Sequence, residues 1–210
     1  MLLKSLMSKN KFTYGLLGKG IDYSFSKNFF TEKFKAENLV NHLYKNFDCQ
    51  NLDEVMEILK KKNLKGLNVT IPYKQEIIPF LDDMSNEAKE IGAVNTISFD
   101  KKGKSLGHNT DCYGFQKSLF ENINKKIKAI ILGTGGASKA IQYVLKKNSI
   151  EYVSVSRTKD KGDLIYEDLN DNIINEYELI INTTPLGTYP KTNKCPNINF
   201  NLLTRKHILF

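Results

Sequence analysis

The chain has 210 residues, 40% of them apolar, and a formal net charge of +8. That length buries a core as one large domain or two small ones, and no apolar run approaches the roughly 20 residues that a membrane-spanning helix needs. The positive charge is almost all Lys, spread along the whole length, with Arg157 and Arg205 as the arginines; no Arg-rich or aromatic-interleaved stripe forms, so nucleic acid is not an expected partner.

A basic field of this kind still helps to collect an anionic substrate and a phosphorylated cofactor. Met1–Met7 is too short and too weakly apolar for a secretory signal core. Cys49, Cys112 and Cys195 are odd in number and far apart, with no C-x-x-C and no ligand pair at zinc spacing. That pattern predicts a reducing, cytoplasmic setting and no structural metal.

Taken in order, Phe12–Leu17 is an apolar, aromatic-rich run ending at Gly18, a buried first strand. Residues 19–27 form a loop with Ser24 and Ser26, and Ser26 stands where an N-cap belongs. A helical pattern then runs through Phe29, Phe30, Phe34, Leu39, Val40 and Leu43. A second helix is expected over Asn51–Lys62, with Leu52, Val55, Met56 and Leu59 on one face. Gly66–Ile71 reads as a strand that Pro72 stops, since proline offers no N–H to a ladder. Lys74 then falls in a loop, where a lone Lys beside a strand end is a candidate proton donor or acceptor. Short helices are expected over Gln75–Leu81, interrupted by Pro79, and over Asn86–Ile91. Strands follow at Ala93–Phe99 and Ser105–His108, joined by a turn at Gly103. Alternating strands and helices argue an α/β layer fold.

Asn109-Thr110-Asp111 caps the next helix, Cys112–Asn122, where the dipole stabilises a carboxylate. Ile127–Leu132 is continuously apolar apart from Lys128, as a central parallel strand should be. Gly133-Thr134-Gly135-Gly136-Ala137-Ser138 follows directly and opens the helix Ala137–Lys147, the context that a dinucleotide loop requires. Gly133 allows the tight turn and Gly135 lets a pyrophosphate approach the helix N-terminus; Ser138 stands at the third glycine position. The strand Tyr152–Val155 ends in Ser156-Arg157-Thr158-Lys159. An NAD enzyme normally places Asp or Glu there. A guanidinium, two hydroxyls and Lys159 instead favour a 2′-phosphate, hence NADP. Asp160–Tyr177 is expected to be a loop with one short helix, Leu179–Asn182 a strand ending in Thr183-Thr184-Pro185-Leu186-Gly187, and residues 191–201 a loop. Leu202–Leu203 closes a helix and Ile208–Phe210 starts a strand.

Gly66–Lys74, Gly92-Ala93-Val94-Asn95-Thr96 and Asn109-Thr110-Asp111, in that order and at that spacing, resemble shikimate dehydrogenase. The resemblance implies an α/β substrate domain over 1–108, a bridging helix over 109–125 and a Rossmann-like NADP-binding domain over 126–210. It implies reversible, NADPH-dependent reduction of 3-dehydroshikimate to shikimate, in the pathway to chorismate and aromatic amino acids, by a monomer or homodimer. Lys74 and Asp111 become the catalytic pair. Ser24 and Ser26 would hold the substrate carboxylate, and Thr70, Asn95 and Asp111 its ring hydroxyls. Gly133, Thr134, Gly135, Gly136, Ala137, Ser138, Ser156, Arg157, Thr158, Lys159 and Thr184 would line the cofactor. The chain departs from the family pattern at Tyr23 and Lys27, where His and Pro are usual, and at Ser156, where Asn is usual. The family also continues past the position of Phe210 with a Tyr-containing loop and a helix that brings a Gln to the substrate. Beside this reading stand a quinate/shikimate dehydrogenase of relaxed specificity that also uses NAD, a catalytically silent NADP- or metabolite-binding protein, and a Lys-rich nucleic-acid binder.

Overall fold

The structure is a computed structural model that describes residues 11–123, 126–190 and 192–210. The Met1–Met7 run, the end of the expected 109–125 segment (Asn124 and Lys125) and Lys191 lie outside the described residues. The chain divides into two compact units, the first ending at Asn109 and the second beginning at Thr110. The helix Asp111–Asn122 therefore groups with the second unit.

Among the described residues the first unit is built on a six-stranded mixed sheet. Its strands are β1 (Phe12–Gly18), β2 (His42–Asp48), β3 (Leu64–Val69), β4 (Asp83–Met84), β5 (Thr96–Phe99) and β6 (Ser105–His108), in the order β2-β1-β3-β5-β6-β4. β1 pairs in parallel with β2 and β3, and β5 runs antiparallel to both β3 and β6. Strand alternation sends side chains to two faces. Leu17, Leu67, Val69 and Ile97 form one core with Val55, Tyr73, Ile77 and Ala88 from the covering helices. On the other face Leu16, Ile21 and Tyr44 pack against Tyr14, Phe30 and Phe34. Burial of such side chains, at about 1.5–3 kcal/mol each, is what holds the layers together.

Two sequence expectations fail between β1 and β2. The helix expected to run through Leu43 is Ser26–Ala36, and His42–Asp48 is a strand. The stop is a Schellman motif: Asn38 sits at φ 56, Leu39 N–H reaches Phe34 O at 2.8 Å and Asn38 N–H reaches Lys35 O at 3.1 Å. Asn tolerates that left-handed position better than other non-glycine residues, so the chain turns there. Ser26 is not the N-cap either. That position is Phe25, with no side-chain cap bond, and the Ser26 N–H donates instead to Ser24 Oγ at 3.2 Å. Elsewhere the boundaries tighten. The second helix is Leu52–Leu59, capped by Asn51 Oδ1 on the Glu54 N–H at 3.0 Å.

Among the described residues the second unit holds five strands: β7 (Ala129–Leu132), β8 (Tyr152–Ser156), β9 (Leu164–Ile165), β10 (Leu179–Asn182) and β11 (Ile208–Leu209). They form an all-parallel sheet in the order β11-β10-β7-β8-β9. All four residues of β7 are buried, as a central strand demands. The chain leaves β7 for β8 and β9 on one side, then returns to β10 and β11 on the other. The switch point is therefore the carboxyl end of β7, where the glycine loop opens the helix Gly136–Lys147. The segment expected as loop plus one helix contains β9, a 3-10 turn at Tyr166–Asp168 and the helix Asp171–Glu176. The helix expected to close at Leu202–Leu203 is a 3-10 turn, Phe200–Leu202. Among the described residues no helix is long and apolar enough to cross a membrane.

Candidate active site

In the first unit the candidate residues gather at one end of the sheet. β3 stops at Val69; the Thr70 N–H then donates to Leu17 O at 2.9 Å and the Val69 N–H to Asn95 O at 2.7 Å. These bonds set Thr70 and Asn95 beside the carboxyl ends of β1 and β3. Thr70 fits there because residue 18 is glycine: a Cβ on Gly18 would lie 2.5 Å from Thr70 Cγ2. Asn95 is buried and accepts from Thr96 Oγ1 at 3.1 Å.

Lys74 is not in a loop. It belongs to a four-residue helix, Tyr73–Glu76, that begins directly after Pro72. The turn is anchored on both sides. Tyr73, 2% exposed, donates its hydroxyl to Cys49 O at 2.6 Å, and the Val94 N–H donates to Lys74 O at 2.7 Å. The Lys74 side chain is half-buried. The Gly92–Thr96 run is itself fixed by Gly92 at φ 68, which ends the helix Asn86–Ile91, and by Asn109 Nδ2 on Ala93 O at 3.0 Å. Asn109 thus braces the first unit.

Ser24 and Ser26 are both half-buried, with Ser24 Oγ donating to Ser26 Oγ at 3.2 Å. Two residues that the sequence reading passed over lie with them. Tyr44 lies beside Ser26, and its hydroxyl donates to Asn68 Oδ1 at 2.8 Å. Asn68 belongs to a polar row across the sheet: Asn46, Leu16, Asn68, Thr96 and His108 are successive register partners from β2 to β6. An asparagine in the middle of an apolar strand was the signal available for Asn68. Burial pushes the Tyr44 phenol up to about 12.

Asp111 lies in the second unit, as the first residue of the helix Asp111–Asn122 and half-buried. The N-cap is Thr110, which makes no side-chain cap bond, so the Asp111 carboxylate is a first-turn charge on the helix dipole.

The glycine loop is built for close approach. Gly133 has φ 107, and a Cβ there would lie 2.7 Å from Thr183 Oγ1. Thr183 is in turn fixed on Leu132 O through its N–H at 2.9 Å and its hydroxyl at 2.7 Å. Gly135 is the N-cap of Gly136–Lys147 with no side-chain bond, and a Cβ on it would meet nothing within 4 Å. That leaves room beside the N-terminus of the helix, a fit for a pyrophosphate. Thr134, Gly136 and Ala137 line this turn, half-exposed. Ser138 is different. Its side chain is fully buried and accepts from Gln142 Nε2 at 2.9 Å, so only its backbone belongs to the loop.

At the end of β8, Ser156 is buried and its hydroxyl closes a turn onto the backbone of Thr158. Arg157, Thr158 and Lys159 are exposed. A nearby acid is present after all: Thr158 hydrogen-bonds the Asp160 carboxylate and, as the largest cause, holds its pKa below the ordinary value. Thr184 also turns inward, donating to Asn182 Oδ1 at 2.7 Å and accepting from the Leu186 N–H at 3.2 Å. The loop is thus braced by Thr184 rather than presenting its hydroxyl.

A parallel sheet with a glycine loop at its switch point makes the second unit Rossmann-like, and the first is a separate unit built on a mixed sheet. Comparisons with known proteins carry this to a family. The sequence model described as "Shikimate dehydrogenase substrate binding domain" matches residues 16–97. Shikimate dehydrogenase (NADP(+)) of Methanosphaera stadtmanae is 38% identical over 213 residues, spanning 92% of this chain and 75% of the relative. Among solved structures, shikimate dehydrogenase from Aquifex aeolicus superposes with a TM-score of 0.83 at 34% identity, covering 97% of this chain and 79% of that one. The Thermus thermophilus enzyme in complex with NADP(H) and shikimate does so with a TM-score of 0.80 at 26% identity, covering 94% and 77%. The chain belongs to the shikimate dehydrogenase family.

Proposed function

We propose that this protein catalyses the reversible, NADPH-dependent reduction of 3-dehydroshikimate to shikimate, an oxidoreductase step on the route to chorismate and the aromatic amino acids. The observation that carries the reading is the open helix N-terminus at Gly135, with Arg157 on the loop after the next strand, in a chain whose first unit matches the family's substrate-binding model. NADPH, when bound, supplies the hydride. The chain's own residues do the rest. Ser24 and Ser26 hold the substrate carboxylate, and Thr70, Asn95 and Asp111 hold ring hydroxyls. As the carbonyl becomes an alkoxide it needs a proton and local positive charge. Lys74 gives the proton from its ammonium, and Asp111 acts as the carboxylate that orients it and relays protons. In the reverse direction neutral Lys74 accepts the hydroxyl proton. The first-turn N–H groups from Gly135 to Ser138 cradle the pyrophosphate, and Arg157 with Lys159 grips the 2′-phosphate.

The domain assignment follows: a substrate domain over 1–108, a bridging segment over 109–125 and an NADP domain from 126. Cys49, Cys112 and Cys195 are free thiols, which suits a cytoplasmic protein; we assign a monomer or homodimer. The test is Lys74→Ala. It should lower kcat by about 10²–10⁴ while shikimate and NADP⁺ still bind by calorimetry. Unchanged turnover would remove Lys74 from the mechanism.

A further inference from the structure

The loop that carries Ser24 and Ser26 is held at its start by a carboxylate from another strand. Asp48 is the last residue of β2 and the register partner of Gly18, the last residue of β1. Its two oxygens divide between successive backbone groups: Oδ1 accepts from the Gly20 N–H at 2.9 Å and Oδ2 from the Ile21 N–H at 3.3 Å. Gly20 stands at φ 65, in the left-handed region, and that conformation is what lets two consecutive N–H groups converge on one anion. The strand end that supplies the carboxylate is itself pinned. The Cys49 N–H donates to Gly18 O at 2.9 Å, and Cys49 O accepts the Tyr73 hydroxyl at 2.6 Å. Gln50 Nε2 adds a further donor to Asp48 Oδ1 at 3.0 Å.

From Asp48 the bonds run on to the serines. Ile21, whose N–H Asp48 holds, gives its carbonyl to the Ser24 N–H at 2.9 Å. Asn46, two residues before Asp48 and on the same face of β2, reaches that carbonyl through Nδ2 at 3.5 Å. Ser24 Oγ then accepts from the Ser26 N–H at 3.2 Å. We infer that Asp48 is a positioning residue for the substrate carboxylate: it fixes the backbone at Gly20 and Ile21, and through Ile21 the places of the Ser24 and Ser26 hydroxyls. This rests on the reading of Ser24 and Ser26 as the carboxylate clamp. An asparagine at position 48 would keep the shape and lose the grip, because its single amide oxygen serves one N–H while its NH2 group faces the other.

The test is Asp48→Asn. The KM for shikimate should rise about ten-fold, the scale of one lost charge-assisted hydrogen bond. The kcat should stay within about three-fold and the KM for NADP⁺ should not move. In a Ser24→Ala/Ser26→Ala background the same change should raise the KM much less, because Asp48 acts through those hydroxyls. Two controls separate positioning from stability. Asn63→Ala removes the Nδ2 bond to Thr13 Oγ1 at 2.9 Å, near the opposite end of β1 from Gly18. It should lower the melting temperature and leave the KM for shikimate near the wild-type value. Gln50→Ala, which leaves both backbone bonds to Asp48 in place, should leave that KM unchanged as well. An unchanged or lower KM in Asp48→Asn, a rise of the same size without the two serines, or an equal rise in either control would overturn the role of Asp48. If Ser24→Ala/Ser26→Ala alone leaves the KM for shikimate unchanged, the clamp reading falls and the role of Asp48 with it. Wild-type protein that reduces no NADP⁺ with shikimate would overturn the functional reading as a whole.

Discussion

Val94 donates its backbone N–H to the carbonyl of Lys74 at 2.7 Å, tying the four-residue helix that carries Lys74 to the run that carries Asn95. Such a short helix has no cooperativity of its own, so neighbouring bonds of this kind must hold it. Gly92, in the left-handed region at φ 68, aims the run that supplies the bond. Gly92→Ala places a Cβ in that region at about 1–2 kcal/mol. The melting temperature should fall by a few degrees and kcat should fall with it, by scanning calorimetry and initial rates.

Gly133 and Gly135 should separate folding from cofactor binding. Gly133→Ala meets both a φ of 107 and Thr183 Oγ1 at 2.7 Å, so it should destabilise by about 1–3 kcal/mol. Gly135→Ala meets nothing within 4 Å and has φ −82, so the protein should melt as wild type does. Its new methyl instead enters the space assigned to the pyrophosphate. NADP⁺ affinity by calorimetry should fall about ten-fold or more, with shikimate affinity intact.

Arg157→Ala should raise the KM for NADP⁺ about ten- to one-hundred-fold, as expected for a charge-assisted hydrogen bond of roughly 1.5–3 kcal/mol. The KM for NAD⁺, which has no 2′-phosphate, should change little. Because Asp160 shares this loop through Thr158, Asp160→Asn should move the preference the other way, lowering the KM for NADP⁺.

Alkaline stability should report Tyr44. Burial raises its phenol from 10.0 to about 12, so between those values the folded state holds a proton that the unfolded state has lost. Stability is complete below pH 10 and drains as pH rises toward 12. Tyr44→Phe should flatten that slope in denaturant titrations at high pH.

The parts of the fold legible in the sequence were those with one dominant local signal. Leu179–Asn182 is a strand with the bounds its apolar run suggests, and β7, the glycine loop and the helix after it fall within two residues of their expected places. The missed strand His42–Asp48 had no such signal. Leu39, Val40 and Leu43 extend the spacing of the preceding helix, and the Asn38 stop competes with it only through backbone conformation. β4 has two residues and exists through its pairing with β6, a tertiary fact. At the site, residue types were legible and their attachments were not. The inward turn of Ser138, Ser156 and Thr184, and the bond from Tyr44 to Asn68, depend on partners that the residue types alone do not announce.

The most direct test of the central claim is the nicotinamide absorbance of the purified protein with shikimate and NADP⁺, repeated with NAD⁺ and with quinate. A steady rise is expected with shikimate and NADP⁺, and far slower change with NAD⁺ or quinate. A rise that needs NAD⁺ or quinate, or no rise while both shikimate and NADP⁺ bind, would contradict it.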